Sequence, residues 1–173
     1  MANVVLIGYR GTGKSHVARE LGGWLRWAVV GMDAELVKRA GMPIKDLVAK
    51  HGWPHFRDLE QSLCEELSRG NQRIIDCGGG VIEREANIQA LRGCGTVFWL
   101  RAKPSTIISR IGGDDQRPSL TGTKSFTDEV VEVLERRAPL YARAAHVAID
   151  TDEAPPSVIA RRIHELIPRE SSG

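Results

Sequence analysis

The sequence predicts an α/β fold, with a parallel sheet covered by helices on both faces. Short apolar runs bounded by glycine or polar residues alternate with longer segments of helical period. The runs are apolar without interruption, which indicates strands buried on both faces of a sheet. The 173 residues suit one domain, and 42% hydrophobic with 27% charged residues excludes wholesale disorder. We therefore expect a single α/β domain over residues 1–173.

Five apolar runs are the predicted strands, and the segments between them have the apolar spacing of helices. The strands are predicted at residues 4–7, 27–32, 73–77, 96–100 and 147–149. Helices are predicted at residues 14–25, 44–50, 54–67, 83–91, 105–111, 127–142 and from about 155 to 166. Strands that alternate with helices in this way are typical of a parallel sheet.

Composition excludes several classes of function. The formal net charge of +2 argues against a sequence-independent grip on nucleic acid, which needs a clustered basic face. We also expect no membrane partner, because no apolar run approaches the roughly 18 residues that span a bilayer. The first residues show neither a charged n-region nor a small-residue cleavage site, so we expect no leader, and the three cysteines are scattered without metal spacing. Free thiols suit a reducing compartment, so the cytoplasm is the expected location.

The first predicted strand leads into a phosphate-binding motif. Residues 8–15 read G-Y-R-G-T-G-K-S, which fits the pattern G-x-x-x-x-G-K-[ST] between a strand and a helix. Glycines let backbone N–H groups converge on a phosphate at the start of that helix. Lys14 is expected to reach the β- and γ-phosphates, and the Ser15 hydroxyl to ligate Mg²⁺. The motif predicts binding of ATP or GTP.

Among nucleotide-binding classes, a small kinase fits best. The sequence contains no N-K-x-D motif of the kind that reads guanine, and it is short for a motor. A kinase needs an acceptor site, arginines near the transferred group and a lid that excludes water. The polar, glycine-rich stretch at about 112–124, which carries Arg117 beside a proline, is the predicted lid. Simple disorder of this stretch is the alternative.

Three features indicate where an anionic, hydroxylated acceptor would bind. Asp33 follows the second predicted strand, at the carboxyl edge where ligands of open α/β sheets bind. Arg57 and Glu60 are three residues apart and share one helical face. A triple glycine follows the third strand, where bare backbone can approach a ligand closely. Two structural alternatives remain open: Asp33 as a helix cap, and Arg57 with Glu60 as a solvated ion pair.

Together these residues resemble the shikimate kinase family over nearly the whole chain. The motifs that carry the resemblance are the phosphate loop, Asp33, Phe56-Arg57-x-x-Glu60, Gly78-Gly79-Gly80, Arg117-Pro118 and Arg137-Ala138-Pro139-Leu140-Tyr141. The resemblance implies a three-layer P-loop NTPase fold with a five-stranded parallel sheet in the order 2-3-1-4-5. It also implies an acceptor-binding subdomain at about 33–60 and a lid at about 112–124.

The resemblance further implies the reaction. The γ-phosphate of ATP would pass to the 3-hydroxyl of shikimate, in aromatic amino-acid (chorismate) biosynthesis. Mg²⁺ would be the cofactor and ATP the co-substrate. The partners would be these small molecules alone, and we expect the enzyme to be a monomer.

The resemblance also implies roles for individual residues. The implied catalytic residues are Lys14, Asp33 and Arg117. The implied ATP-binding residues are Gly11, Thr12, Gly13, Lys14, Ser15, His16, Arg110 and Arg117, with the loop 151–155 beside the adenine. The implied shikimate-binding residues are Asp33, Arg57, Gly78, Gly79, Gly80 and Arg137. These roles suit the chemistry, because guanidinium groups pair with carboxylates and a carboxylate accepts from hydroxyl groups.

The chain departs from the family pattern at two positions. Gly31 stands where the family usually has the first carboxylate of an Asp-x-Asp pair, and Gly52-Trp53 stands where Gly-Glu is usual. The first departure affects the metal site and the second affects the helix that frames the acceptor. They leave two alternatives open: a paralogue that phosphorylates another hydroxylated acid, or a nucleotide-binding regulator that has lost transfer.

Asp76 is the predicted replacement for the missing carboxylate. It lies just before the glycine run in an otherwise apolar strand, where an ionised side chain is costly to bury unless it meets a cation or hydrogen-bond donors. In the implied strand order the third strand lies beside the first, whose end carries the phosphate loop. We therefore expect Ser15 and Asp76 to be the protein ligands of the metal. The alternative is that Asp76 accepts hydrogen bonds from loop N–H groups.

Overall fold

The computed structural model describes residues 2–112 and 125–169, and these contain a five-stranded parallel sheet. Its strands are β1 (Asn3–Ile7), β2 (Ala28–Gly31), β3 (Arg73–Asp76), β4 (Gly95–Arg101) and β5 (Val147–Asp150). The strands lie in the order β2-β3-β1-β4-β5, and every neighbouring pair is parallel. The predicted fold class and strand order are confirmed.

Helices precede and follow the strands as predicted, with one addition. They are α1 (Lys14–Leu25), α2 (Met32–Ala40), α3 (Ile44–His51), α4 (Trp53–Ser68), α5 (Glu85–Cys94), α6 (Pro104–Ile111), α7 (Phe126–Ala144) and α8 (Pro156–Leu166). A short 3₁₀ turn, Val81–Glu83, precedes α5 and takes the place of the predicted start of that helix. None of the described helices combines the length and the apolar character that crossing a membrane requires.

Helix α2 was not predicted, and the second strand was predicted to run too far. Met32 is fully buried and begins the helix, whereas the prediction placed it in the strand. The sequence did contain a signal for this helix. Acidic residues occupy its first turn and basic residues its last, as the helix dipole favours. The helix then ends at Gly41, whose φ of +71° suits glycine.

Both faces of the sheet are buried along its central strand β1, which explains the uninterrupted apolar run there. Along β1, Val5 and Ile7 pack into the core beneath α2–α5 and α7. Val4 and Leu6 point the other way, into a second core with α1 and α8. All four side chains are at most 1% exposed. Each burial contributes roughly 1.5–3 kcal/mol relative to an exposed side chain.

The carboxyl ends of β1, β2 and β3 meet at one edge of the sheet. Leu6 and Gly31 both lie in register with Asp76 of the strand between them. The segments that leave these three strands are the phosphate loop, the start of α2 and the glycine run. The topology therefore brings the three predicted motifs to the same place.

Candidate active site

The phosphate loop has the backbone geometry that its glycines predict. Gly11 and Gly13 have φ angles of +82° and +88°, in the left-handed region that favours glycine. At Gly8 an added Cβ would lie 2.2 Å from the carbonyl oxygen of Leu100, so a side chain does not fit there. The Lys14 Nζ donates to the carbonyl oxygens of Gly8 and Tyr9, at 2.8 and 3.1 Å. The lysine side chain is thus folded over the loop, at the N-terminus of α1.

Ser15, in the first turn of α1, contacts Asp76 at the end of β3. The Ser15 hydroxyl donates to Asp76 Oδ2 at 2.8 Å. Burial raises the pKa of the Asp76 carboxyl, while the charge of Lys14 and the Ser15 hydrogen bond partly oppose that rise. The contact joins one carboxylate and one hydroxyl oxygen, which are donors of the type that Mg²⁺ prefers.

The glycine run makes room for the side chains of the acceptor site. A Cβ added to Gly78 would lie 2.6 Å from Asp33 Oδ1, and one added to Gly80 would lie 2.2 Å from Arg57 Nη2. At Gly79 the nearest atom is Arg137 Nη1, at 3.3 Å. The glycines let Asp33, Arg57 and Arg137 approach the backbone from three different helices.

Arg57 and Glu60 form a buried ion pair, so the solvated alternative is wrong. Arg57 Nη1 lies 2.8 Å from Glu60 Oε1, and the two side chains are 9% and 0% exposed. The guanidinium also lies 5.2 Å from the ring centroid of Trp53 and 5.4 Å from that of Phe56. Aromatic faces and a carboxylate therefore hold Arg57 in one orientation.

Arg137 comes from α7 and is almost fully buried. It is 2% exposed, and its guanidinium lies 5.8 Å from the centroid of the Tyr9 ring. Burial lowers the pKa of Arg137, but Tyr141 and Glu83 outweigh it and leave that pKa above its ordinary value. The Tyr141 hydroxyl donates to the carbonyl oxygen of Gly79, which ties α7 to the glycine run. Burial raises the pKa of Tyr141 to about 12, so this hydroxyl stays protonated.

Two buried guanidinium nitrogens are available to a ligand. Arg57 Nη2 and Arg137 Nη2 make no hydrogen bond with any residue in the described parts of the chain. Both arginines lie against neighbouring residues of the glycine run. Leaving such donors buried is costly unless something accepts from them, and a carboxylate is the acceptor that guanidinium groups match best.

One cavity joins the phosphate loop to the acceptor residues. It has a volume of about 430 Å³ and extends from Gly13, Lys14 and Ser15 to Asp33 and Gly78. The phosphate loop therefore shares this cavity with Asp33, Gly78 and Gly79, whereas Arg57, Gly80 and Arg137 are not among the residues that line it. Arg137 lies against Gly79, which lines the cavity, and Arg57 lies against the next residue, Gly80.

A second cavity of about 300 Å³ lies on the other side of the phosphate loop. Arg110, Thr151 and Ala154 line it, together with His16. Arg110 Nη1 donates to the Gly11 carbonyl at 3.1 Å, and its Nη2 donates to the Thr151 carbonyl at 3.0 Å. The residues predicted to flank the adenine are thus brought together.

Sequence reasoning missed several residues of the candidate site, and the predicted lid falls almost entirely outside the residues that the structure describes. Tyr9 and Tyr141 were visible only as members of longer motifs, and Glu83 belonged to no motif. Arg117 and residues 113–124 of the predicted lid lie outside the described residues.

The fold and the shared cavity define a P-loop kinase that acts on a small molecule. Sequence comparison identifies the family within this class: a protein-family model described as "Shikimate kinase" matches residues 10–168. The shikimate kinase of Moorella thermoacetica is 36% identical over 165 residues, covering 95% of this chain and 94% of that protein. The one from Nitratidesulfovibrio vulgaris is 38% identical over 170 residues, covering 96% of each.

The same likeness holds in three dimensions. The structure of a shikimate kinase from Acinetobacter baumannii in complex with shikimate superimposes with a TM-score of 0.91 at 28% identity. The match covers 96% of this chain and 92% of that one. The chain belongs to the shikimate kinase family, and it is an ATP-using phosphotransferase that phosphorylates shikimate.

Proposed function

We propose that the roles inferred from the sequence are the roles of these residues in the transfer from ATP to the 3-hydroxyl of shikimate. The observation that carries the proposal is the common cavity that joins the phosphate loop to Asp33 and the glycine run. In-line transfer of a phosphoryl group requires the donor and acceptor oxygens to lie in one space from which water is largely excluded. Here the lining residues suit a phosphate on one side and a hydroxylated acid on the other.

On the donor side, the N–H groups of the loop and the N-terminus of α1 bind the phosphates. Lys14 leaves the carbonyl oxygens of Gly8 and Tyr9 and pairs with the β- and γ-phosphates. The adenine lies in the second cavity, beside Arg110 and the segment from Thr151 to Ala154.

Ser15 and Asp76 fit the protein side of a Mg²⁺ site. Their oxygens lie 2.8 Å apart beside the phosphate loop, and a buried carboxylate in this position is stabilised by a cation. A bound Mg²⁺ would neutralise part of the negative charge of the phosphates. With Mg²⁺ bound, the Ser15 hydroxyl and the Asp76 carboxylate would hold the ion in place of their hydrogen bond to each other.

On the acceptor side, Arg57 and Arg137 bind the carboxylate of shikimate through their Nη2 groups. The backbone at Gly79 and Gly80 lets that carboxylate approach. Asp33 orients the 3-hydroxyl and accepts its proton as the new P–O bond forms and the bond to ADP breaks. Arg117 stays a prediction: its charge is expected to close over the phosphates during transfer.

We also propose that residues 33–60 form the acceptor-binding subdomain of a single kinase domain and that the enzyme is a monomer in the cytoplasm. Helix α3 lies in this range, and α2 and α4 overlap it and supply Asp33 and Arg57. The three cysteines are free thiols, which supports a reducing compartment.

A coupled assay of ADP formation tests the proposal. We expect ADP formation that depends on both shikimate and Mg²⁺, with little turnover on quinate or gluconate. Phosphorus NMR of the product would place the phosphate on the 3-oxygen. Turnover with shikimate no faster than the background ATPase would overturn the proposed function.

A further inference from the structure

Glu83 contacts arginines from two different helices. It ends the 3₁₀ turn that follows the glycine run. Its Oε1 accepts from Arg136 Nη2 at 2.7 Å and from Arg137 Nε at 3.4 Å. Its Oε2 lies 3.7 Å from Arg57 Nη2, within ion-pair distance but too far for a hydrogen bond. One carboxylate thus faces both of the arginines that are proposed to bind the acceptor.

These contacts leave the ligand-binding nitrogens of both arginines available. Glu83 accepts a hydrogen bond from the Nε of Arg137, whereas the Nη2 of Arg137 makes no hydrogen bond with a described residue. Arg57 donates through Nη1 to Glu60 and faces Glu83 only at long range. The carboxylate therefore restrains both side chains without occupying the donors that a bound acid needs.

Two guanidinium groups that are 8% and 2% exposed repel each other unless a negative charge lies between them. Arginine side chains also have many rotamers, and fixing them at the moment of binding weakens affinity. An internal carboxylate that holds both in place removes much of that cost before the acceptor arrives. The side chain of Glu83 is 25% exposed and so is neither fully solvated nor fully buried.

From this geometry we propose that Glu83 is a positioning residue for the acceptor, which holds Arg57 and Arg137 in the orientation that receives a carboxylate. The inference rests on the proposed function of those two arginines. Glu83 does not contact the reacting atoms. Its effect is expected in the affinity for the acid acceptor, and not in the affinity for ATP or in the rate of transfer.

Steady-state kinetics on Glu83→Ala test this role. We expect the KM for shikimate to rise roughly fivefold to twentyfold, because two rotamer-rich side chains lose their restraint. We expect kcat and the KM for ATP to stay within about twofold of the wild type. Glu83→Gln keeps an oxygen that can accept from Arg136 and Arg137 but carries no charge, so its KM should rise less.

Glu85→Ala is the matched control. Glu85 lies two residues further along and pairs with Arg143 at the surface, where both side chains are more than half exposed. Its loss should leave every constant unchanged.

The outcomes separate clearly. A KM for shikimate in Glu83→Ala that is unchanged or lower overturns the proposal, as does a parallel rise in the KM for ATP. If Glu83→Ala does not fold, the measurement is made on Glu83→Gln. A KM for shikimate equal to that of the wild type in Glu83→Gln would then overturn the proposal. Failure of the proposed function would appear differently, as absence of shikimate-dependent turnover in the wild type itself.

Discussion

The donor and acceptor sides of the cavity are constructed in different ways. The donor side is one continuous loop of eight residues whose groups are mostly backbone N–H. The acceptor side is assembled from side chains of α2, α4 and α7 around the glycine run. The comparison teaches that a backbone site can be recognised from local sequence, whereas a side-chain site depends on distant segments that meet through the fold.

The difference predicts that donor-side changes reduce turnover, whereas changes to the acceptor-side groups other than Asp33, the proposed base, mainly reduce acceptor affinity. The largest effect is expected for Lys14→Met, which keeps the length of the side chain but removes its charge. We expect kcat/KM to fall roughly 10³-fold, since a preorganised cation no longer faces the transferred phosphoryl group. ADP formation at saturating shikimate measures this. A variant with wild-type turnover would show that Lys14 has only a structural role.

Asp33→Asn comes next, because it keeps the shape of the side chain but cannot accept the hydroxyl proton. We expect kcat to fall about 10²-fold or more, with a smaller change in the KM for shikimate. Single-turnover measurements would separate the chemical step from product release. A defect in affinity alone would instead assign Asp33 to binding.

Asp76→Asn probes the proposed metal site and is nearly isosteric. We expect kcat to fall roughly tenfold or more and the Mg²⁺ concentration for half-maximal rate to rise. Titrating Mg²⁺ at fixed ATP measures both quantities. An unchanged titration would mean that the contact between Ser15 and Asp76 serves the fold and not the metal.

Gly80→Ala tests the acceptor wall with a single methyl group. The new Cβ would lie 2.2 Å from Arg57 Nη2, so the guanidinium must move. We expect the KM for shikimate to rise about tenfold while the KM for ATP stays constant. Gly93→Ala is the control, because an added Cβ there meets nothing within 4 Å. Equal effects of the two substitutions would contradict this account of the glycine run.

The same contrast explains what could be predicted from the sequence. The five strands and seven of the helices follow from apolar runs and helical periods, which are local properties. Helix α2 was missed because Met32 continues an apolar run into the helix, and only the charges at its ends mark it.

Within the candidate site, Lys14 and Ser15 were predicted from the phosphate-binding motif, and Asp33 was predicted because it follows a strand at the carboxyl edge of the sheet. The position of Asp76 beside the phosphate loop was expected from the strand order, whereas its hydrogen bond with Ser15 was not predicted. Glu83 could not be found, because its importance comes from Arg57 and Arg137, which lie 26 residues before it and 54 after it. The buried state of Arg57 and Glu60 was equally invisible, since an i,i+3 pair looks the same on a solvated face.

The central claim is that the two sides of one cavity bind different substrates through separate residues. Kinetics of Arg137→Ala test it most directly, because this arginine is 2% exposed and borders the glycine run. The account predicts that the KM for shikimate rises at least about tenfold, while the KM for ATP changes less than about twofold. Equal losses for both substrates, or an unchanged KM for shikimate, would contradict it.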